Sequence, residues 1–150
     1  MNNIPPEEYE QILEKMPVVC VDLIIHKDGK VLMVKRSNEP AKGQLWIPGG
    51  RVFKNERLDT AVHRKALEEV GIDVVIERKI NAYDEFFEKG PFPGLKTGVH
   101  TISVCYLCRP KDDSPGVRVD GQSVGFAWIS ELTEEMHPYL KKVIKDAKVF

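Results

Sequence analysis

Gly49-Gly50 is followed by an isolated acid, Glu56, and then by Arg64, Glu68 and Glu69 ahead of Gly71. Arg64 and Glu68 stand four apart, so on a helix they share a face, and Glu69 lies one position round from them. Two carboxylates held that close can converge on one hard cation. Mg2+ takes oxygen ligands and is usually bound through one or two carboxylates together with substrate phosphates. Acids beside a glycine turn therefore point to a site for Mg2+ and a diphosphate. A solvated amphipathic helix would explain Glu68 and Glu69 alone, but not Gly49-Gly50, Glu56, Arg64 and Gly71 at these spacings.

Such residues need elements to hold them. The 150 residues fit one domain, 1–150, with a sizeable core. Pro6, Glu7 and Glu8 suit a helix start, and Tyr9, Ile12, Leu13 and Met16 recur at helical spacing, giving a helix over about 6–16 that Pro17 ends. Residues 18–26 read as a buried strand, Asp28-Gly29 as a tight turn and Lys30–Arg36 as the returning strand. A loop over 37–44 leads to Trp46 and the glycines. After the acid-bearing helix, Val74–Phe87 supplies one or two strands, 88–98 a loop beside a pocket, and 99–109 and Ser123–Ile129 further strands. A last helix begins near Pro138 and buries Leu140, Val143, Ile144 and Ala147. This order predicts an α/β fold, a mixed sheet between helices.

Composition narrows the function. A net charge of −1 leaves no basic footprint for nucleic acid. No apolar run approaches the roughly 20 residues that cross a bilayer, and the first six residues lack a signal peptide's features. No nucleic-acid or membrane partner is expected, and the default location is cytoplasmic. Three cysteines argue against a disulfide framework. Cys105 and Cys108 fall in one apolar strand, where residues three apart face opposite ways and cannot share a metal.

From Gly50 to Ile72 the chain resembles the signature of the Nudix hydrolases: G, five residues, E, seven residues, then R-E-aliphatic-x-E-E-x-G-aliphatic. Lys65 stands in place of the first Glu of R-E, and Ala66 is a small stand-in for the aliphatic residue. Asp22 within the run 17–25, then Lys35-Arg36-Ser37-Asn38-Glu39-Pro40-Ala41-Lys42-Gly43, and then Trp46-Ile47-Pro48-Gly49-Gly50-Arg51-Val52, look most like the GDP-mannose mannosyl hydrolase branch of that family. Thr97, His100, Gln122 and Trp128 fall in matching segments. The resemblance covers about residues 5–130.

The resemblance implies an α/β/α sandwich with a signature segment over 50–72, and a homodimer. It also implies Mg2+, with Mn2+ as a substitute, held by the Gly50 carbonyl, Glu69 and Gln122, with Glu68 as an extra ligand. Arg36, Arg51 and Arg64 are the donors for the diphosphate's growing charge, since an Arg fork binds phosphate oxygens in pairs. Arg36 could instead be a strand-end surface charge, Arg64 an orienter of carboxylates, and Gln122 an ordinary turn residue. Asp22, inside an apolar run, is either a satisfied structural acid or a group that bonds the sugar or an active-site Arg. His100 is either a lone strand histidine or a substrate-facing one.

Two departures leave the general base unassigned. Lys65 removes the carboxylate that phosphorus-attacking Nudix enzymes commonly use. Ser123 stands where the mannosyl hydrolase branch has its basic His, and a hydroxyl is too weak a base near neutral pH. The expected activity is Mg2+-dependent hydrolysis of a nucleoside diphosphate sugar of the GDP-mannose type, giving a nucleoside diphosphate and free sugar. The alternatives are a pyrophosphatase for ADP-ribose or a nucleoside triphosphate, and a protein that binds a nucleotide sugar without turning it over.

Overall fold

Pro6 opens α1 (Pro6–Lys15), with Glu7 and Glu8 in its first turn and Leu13 as its buried residue. Pro17 removes the helical option for Met16, which is extended. β1 (Val18–Lys27) and β2 (Lys30–Arg36) form a hairpin around Asp28 and Gly29, both at positive φ. Two short strands follow, β3 (Leu45–Trp46) and β4 (Gly49–Arg51). α2 (Leu58–Val70) stops where Gly71 turns left-handed at φ 66° and donates its N–H back to Leu67. β5 (Val74–Phe87), β6 (Val99–Pro110), β7 (Ser123–Ile129) and α3 (Pro138–Ala147) complete the order. The computed structural model describes residues 3–113, 116–121 and 123–150.

The main strand order is β3-β2-β1-β6-β5, with β4 added on β1 and β7 on β2. β1 runs parallel to β6, and every other pairing is antiparallel, so the sheet is mixed. Because strand side chains alternate, β1 serves two cores. Val21, Leu23 and Ile25 pack with Ala61, Val62, Ala66 and Val70 of α2. Ile24 packs with Trp46, Tyr83 and the α3 residues Tyr139, Leu140, Val143 and Ile144. Helices thus lie on both faces, and the predicted α/β/α sandwich is the one observed. Cys105 and Cys108 fall in opposite cores, as strand alternation requires.

Two local expectations change. Val74–Phe87 is one strand, whose pairing with β6 slips near Ile76/Arg78 and Lys79/Asn81. Residues just ahead of the glycines form β3 and the glycines themselves form β4, because β2 and β1 still offer free backbone edges there, and Gly49 pairs with Asp22 across β4 and β1.

Candidate active site

The Gly49-Gly50 pair brings two charged side chains against one stretch of backbone. A Cβ on Gly49 would strike the Asp22 carboxylate and the Val21 carbonyl. A Cβ on Gly50 would lie 2.6 Å from Lys65 Cε and 2.9 Å from its Nζ. The glycines are what let Asp22 and Lys65 close on this strand.

On α2, Arg64 organises the acids around it. Its Nε donates to Glu56 Oε1 at 2.6 Å, and Nη2 to Glu56 Oε2 at 2.9 Å and to the Arg51 carbonyl at 3.0 Å. Nη1 reaches Glu68 at 3.2 Å, and the guanidinium lies 3.8 Å from the centre of the Phe53 ring. Arg64 is therefore the orienting residue, and Glu56 is its principal partner. The Arg64 bonds hold the Glu56 carboxyl below its ordinary value against an opposing push from burial, and the Phe53 N–H helps. A lowered carboxyl contributes stability that is present above the unfolded value near 4.5 and lost as pH falls through the folded one. Glu56→Gln should therefore cost roughly 1–2 kcal/mol at pH 7 and less in acid as the carboxyl protonates, read from denaturant midpoints at pH 7 and pH 3. Equal loss at the two would remove the charged pair from the account.

Lys65 is buried, and its ammonium lies 2.9 Å from Glu69 and 3.4 Å from Glu68. Glu69 is also buried at 2% exposure, which pushes its carboxyl up, while Lys65 pulls it back down. Glu68 is half exposed and shared between Arg64 and Lys65.

These groups line a cavity of about 1160 Å3 that also includes Asp22, Arg36, Arg51, Glu85 and Tyr139. Tyr139 donates its hydroxyl to Asp22 at 2.5 Å, and Ser103 is a second partner. Burial lifts Asp22 to about 6; its two hydrogen bonds and Arg36 oppose the shift, and Glu69 adds to it. Arg36 donates Nε to the Pro40 carbonyl at 2.8 Å, so the loop after β2 fixes its head at the cavity wall. Arg51 lies between the rings of Tyr9 and Phe53, at 5.3 and 5.2 Å. Tyr9, Phe53 and Phe92 line the cavity with their rings available for a base to stack on, and Phe86 and Tyr106 do not line it.

Of the two readings of His100, its position matches the lone strand histidine and not the substrate-facing one. Its β6 neighbours Val99 and Thr101 line the cavity, so alternation turns His100 to the other face. There it stacks on Phe86 at 4.4 Å and bonds Asp84 at 3.2 Å. Gln122 lies outside the described residues, and Ser123 pairs with Arg36 across β7 and β2. Sequence reasoning missed Tyr139 and Glu85. The signal for Glu85 was present, as Tyr83, Glu85 and Phe87 alternate onto one face and place an acid in an apolar series.

The donor chemistry at α2 suits a hard cation, since Glu68 and Glu69 offer carboxylate oxygens on one helical turn. The space between them is taken by the Lys65 ammonium. Among the described residues, no cluster of three His, Cys, Asp or Glu side chains could hold a metal ion. The site thus fits Mg2+ only with Lys65 withdrawn.

A family model for the NUDIX domain matches residues 15–147. The low-salt glycan biosynthesis protein Agl8 of Haloferax volcanii is 36% identical over 141 residues, covering 94% of this chain and 88% of its own length. An ADP-ribose pyrophosphatase of Methanocaldococcus jannaschii is 35% identical over 91 residues, 61% of this chain and 50% of that protein. Among solved structures, a MutT Nudix hydrolase from Burkholderia pseudomallei shares the fold with a TM-score of 0.69 and 24% identity, over 88% of this chain and 98% of its own. A MutT protein from Methanosarcina mazei Go1 does so with a TM-score of 0.71 and 21% identity, over 89% and 94%. From the glycine turn to the Arg64 fork, and over nearly its whole length, the chain belongs to the Nudix hydrolase family.

Proposed function

We propose that this Nudix hydrolase splits a nucleoside diphosphate sugar of the GDP-mannose type between the sugar carbon and the diphosphate oxygen. The observation that carries this reading is Lys65. Its ammonium fills the place where a carboxylate would serve attack at phosphorus, and it leaves the diphosphate-binding cations in place. Arg36 and Arg51 at the cavity wall can oppose the charge that grows on a departing nucleoside diphosphate. Tyr9, Phe53 and Phe92 supply ring faces for the base, and Asp22 a polar contact for sugar hydroxyls. Glu68 and Glu69, with the Gly50 carbonyl and Gln122, would hold Mg2+ once Lys65 withdraws. When bound, the ion supplies further neutralisation of the leaving diphosphate. The glycan-biosynthesis name of Agl8 supports a sugar nucleotide.

The M. jannaschii relative's name favours a second reading, an ADP-ribose pyrophosphatase. Hydrolysis in 18O-labelled water separates the two. Attack at carbon puts label in the sugar and releases GDP from a GDP-hexose. Label in a phosphate, with nucleoside monophosphate as product, would overturn the carbon–oxygen reading. Ser123 stands in place of that branch's His, and a general base contributes typically 10²–10⁴-fold, so turnover is slow unless another carboxylate substitutes for it.

A further inference from the structure

The cavity holds one buried acid that no neighbour among the described residues satisfies. Glu69 is bonded by Lys65, and Asp22 by Tyr139 and Ser103. Glu85 is 5% exposed and lines the same cavity, yet it makes no hydrogen bond or ion pair among the described residues. No buried side-chain nitrogen or oxygen among the described residues lacks a partner, so the Glu85 carboxylate oxygens open onto the cavity, within reach of whatever enters it. Glu85 sits opposite Thr101 in the β5–β6 register, and the Thr101 and Ser103 hydroxyls lie 3.3 Å apart on the same face. Those hydroxyls can help to hold a water beside it.

We propose that Glu85 is the general base of this enzyme, accepting a proton from the water that attacks the substrate. The assignment rests on the nucleotide-sugar reading for the identity of the attacked atom. As the water oxygen bonds to the sugar's anomeric carbon, its proton passes to a Glu85 carboxylate oxygen. The carbon–oxygen bond to the diphosphate breaks, and its electron pair leaves on the diphosphate beside Arg36 and Arg51. Glu85 then returns the proton to solvent.

Burial first, and then the charge of Asp22, lift Glu85 to about 7, the range in which a carboxylate can take up a proton at neutral pH. The charged or titratable groups that line the cavity with Glu85 include Asp22 from β1, Arg36 from β2, Lys65 and Glu69 from α2, Tyr139 from α3 and Glu88 and Lys89 from the following loop, and of these Asp22 acts on it directly. The Glu85 carboxyl is raised in the folded state, so its protonated form favours folding. That contribution is present below the unfolded value near 4.5 and lost as pH rises through about 7.

Glu85→Gln should lower kcat on the order of 10²–10³-fold while calorimetric binding of a GDP-hexose stays within about threefold. It should also raise Tm, more at pH 8 than at pH 5, because it removes an unpaired buried charge. Glu85→Ala should regain part of its turnover when formate is added. Unchanged kcat in Glu85→Gln overturns the assignment, and so does a loss accompanied by a lower Tm and no formate rescue, which marks a structural role. Isotope label separates this proposal from the bond-cleavage reading. Label in phosphate with a crippled, formate-rescued variant keeps Glu85 as base and rejects carbon attack. Label in the sugar with an active Glu85→Gln does the reverse. A wild type that hydrolyses neither a GDP-hexose nor ADP-ribose overturns both.

Discussion

Glu69→Gln should lower turnover on the order of 10⁴-fold while leaving the fold intact. The magnitude follows from several kcal/mol of charge stabilisation at about 1.4 kcal/mol per tenfold. Glu69 is buried and holds Lys65 at 2.9 Å, and an amide of the same shape keeps an acceptor for that ammonium while losing the negative charge. The side-chain shape is unchanged, so circular dichroism should stay close to wild type, while Tm should fall because the buried Lys65–Glu69 pair loses one charge. Glu68→Gln should do much less, because Glu68 is half exposed and shared between two cations. Equal losses in the two variants would point to a pyrophosphatase-like cluster, and normal Mg2+-dependent turnover in Glu69→Gln would remove that residue from the site.

Lys65→Glu should have the largest effect on stability. The change removes the cation that bridges Glu68 and Glu69 and adds a third carboxylate in a buried position. Breaking a buried ion pair from one side costs about 3–5 kcal/mol, so Tm should fall sharply in EDTA. Added Mg2+ should restore much of the loss, since three carboxylates on one helical turn make a better site for a hard cation. If chemistry is at the sugar carbon, activity should not rise with this substitution. A large gain toward ADP-ribose would place the reaction at phosphorus. A Tm in EDTA equal to wild type would mean that the bridge seen here carries no weight.

Much of the site was legible because its residues are close in sequence. The glycine turn, Glu56 and the Arg64–Glu69 stretch lie within one turn-helix unit, and helical geometry alone brings Arg64, Glu68 and Glu69 together. The pairing of Lys65 with Glu69 at 2.9 Å is likewise an i,i+4 relation. Strand alternation separated Cys105 from Cys108 before any coordinates. The layout of strands and two flanking helices followed from hydrophobic periodicity and the positions of Pro and Gly.

The rest depended on contacts between distant parts of the chain. That Asp22 is satisfied by Tyr139, 117 positions away, requires α3 to dock on the β1–β6–β5 face. That His100 faces away while Thr101 faces in depends on which side of β6 the cavity occupies, and period two cannot choose between the sides. Glu85 shows the same limit. Its place on a face with Tyr83 and Phe87 was fixed by alternation, but its lack of a partner among the described residues was decided by which side chains β1, β6 and α3 brought beside it. Local spacing sets which residues can act together within one element, whereas burial and the supply of partners belong to the packed sheet.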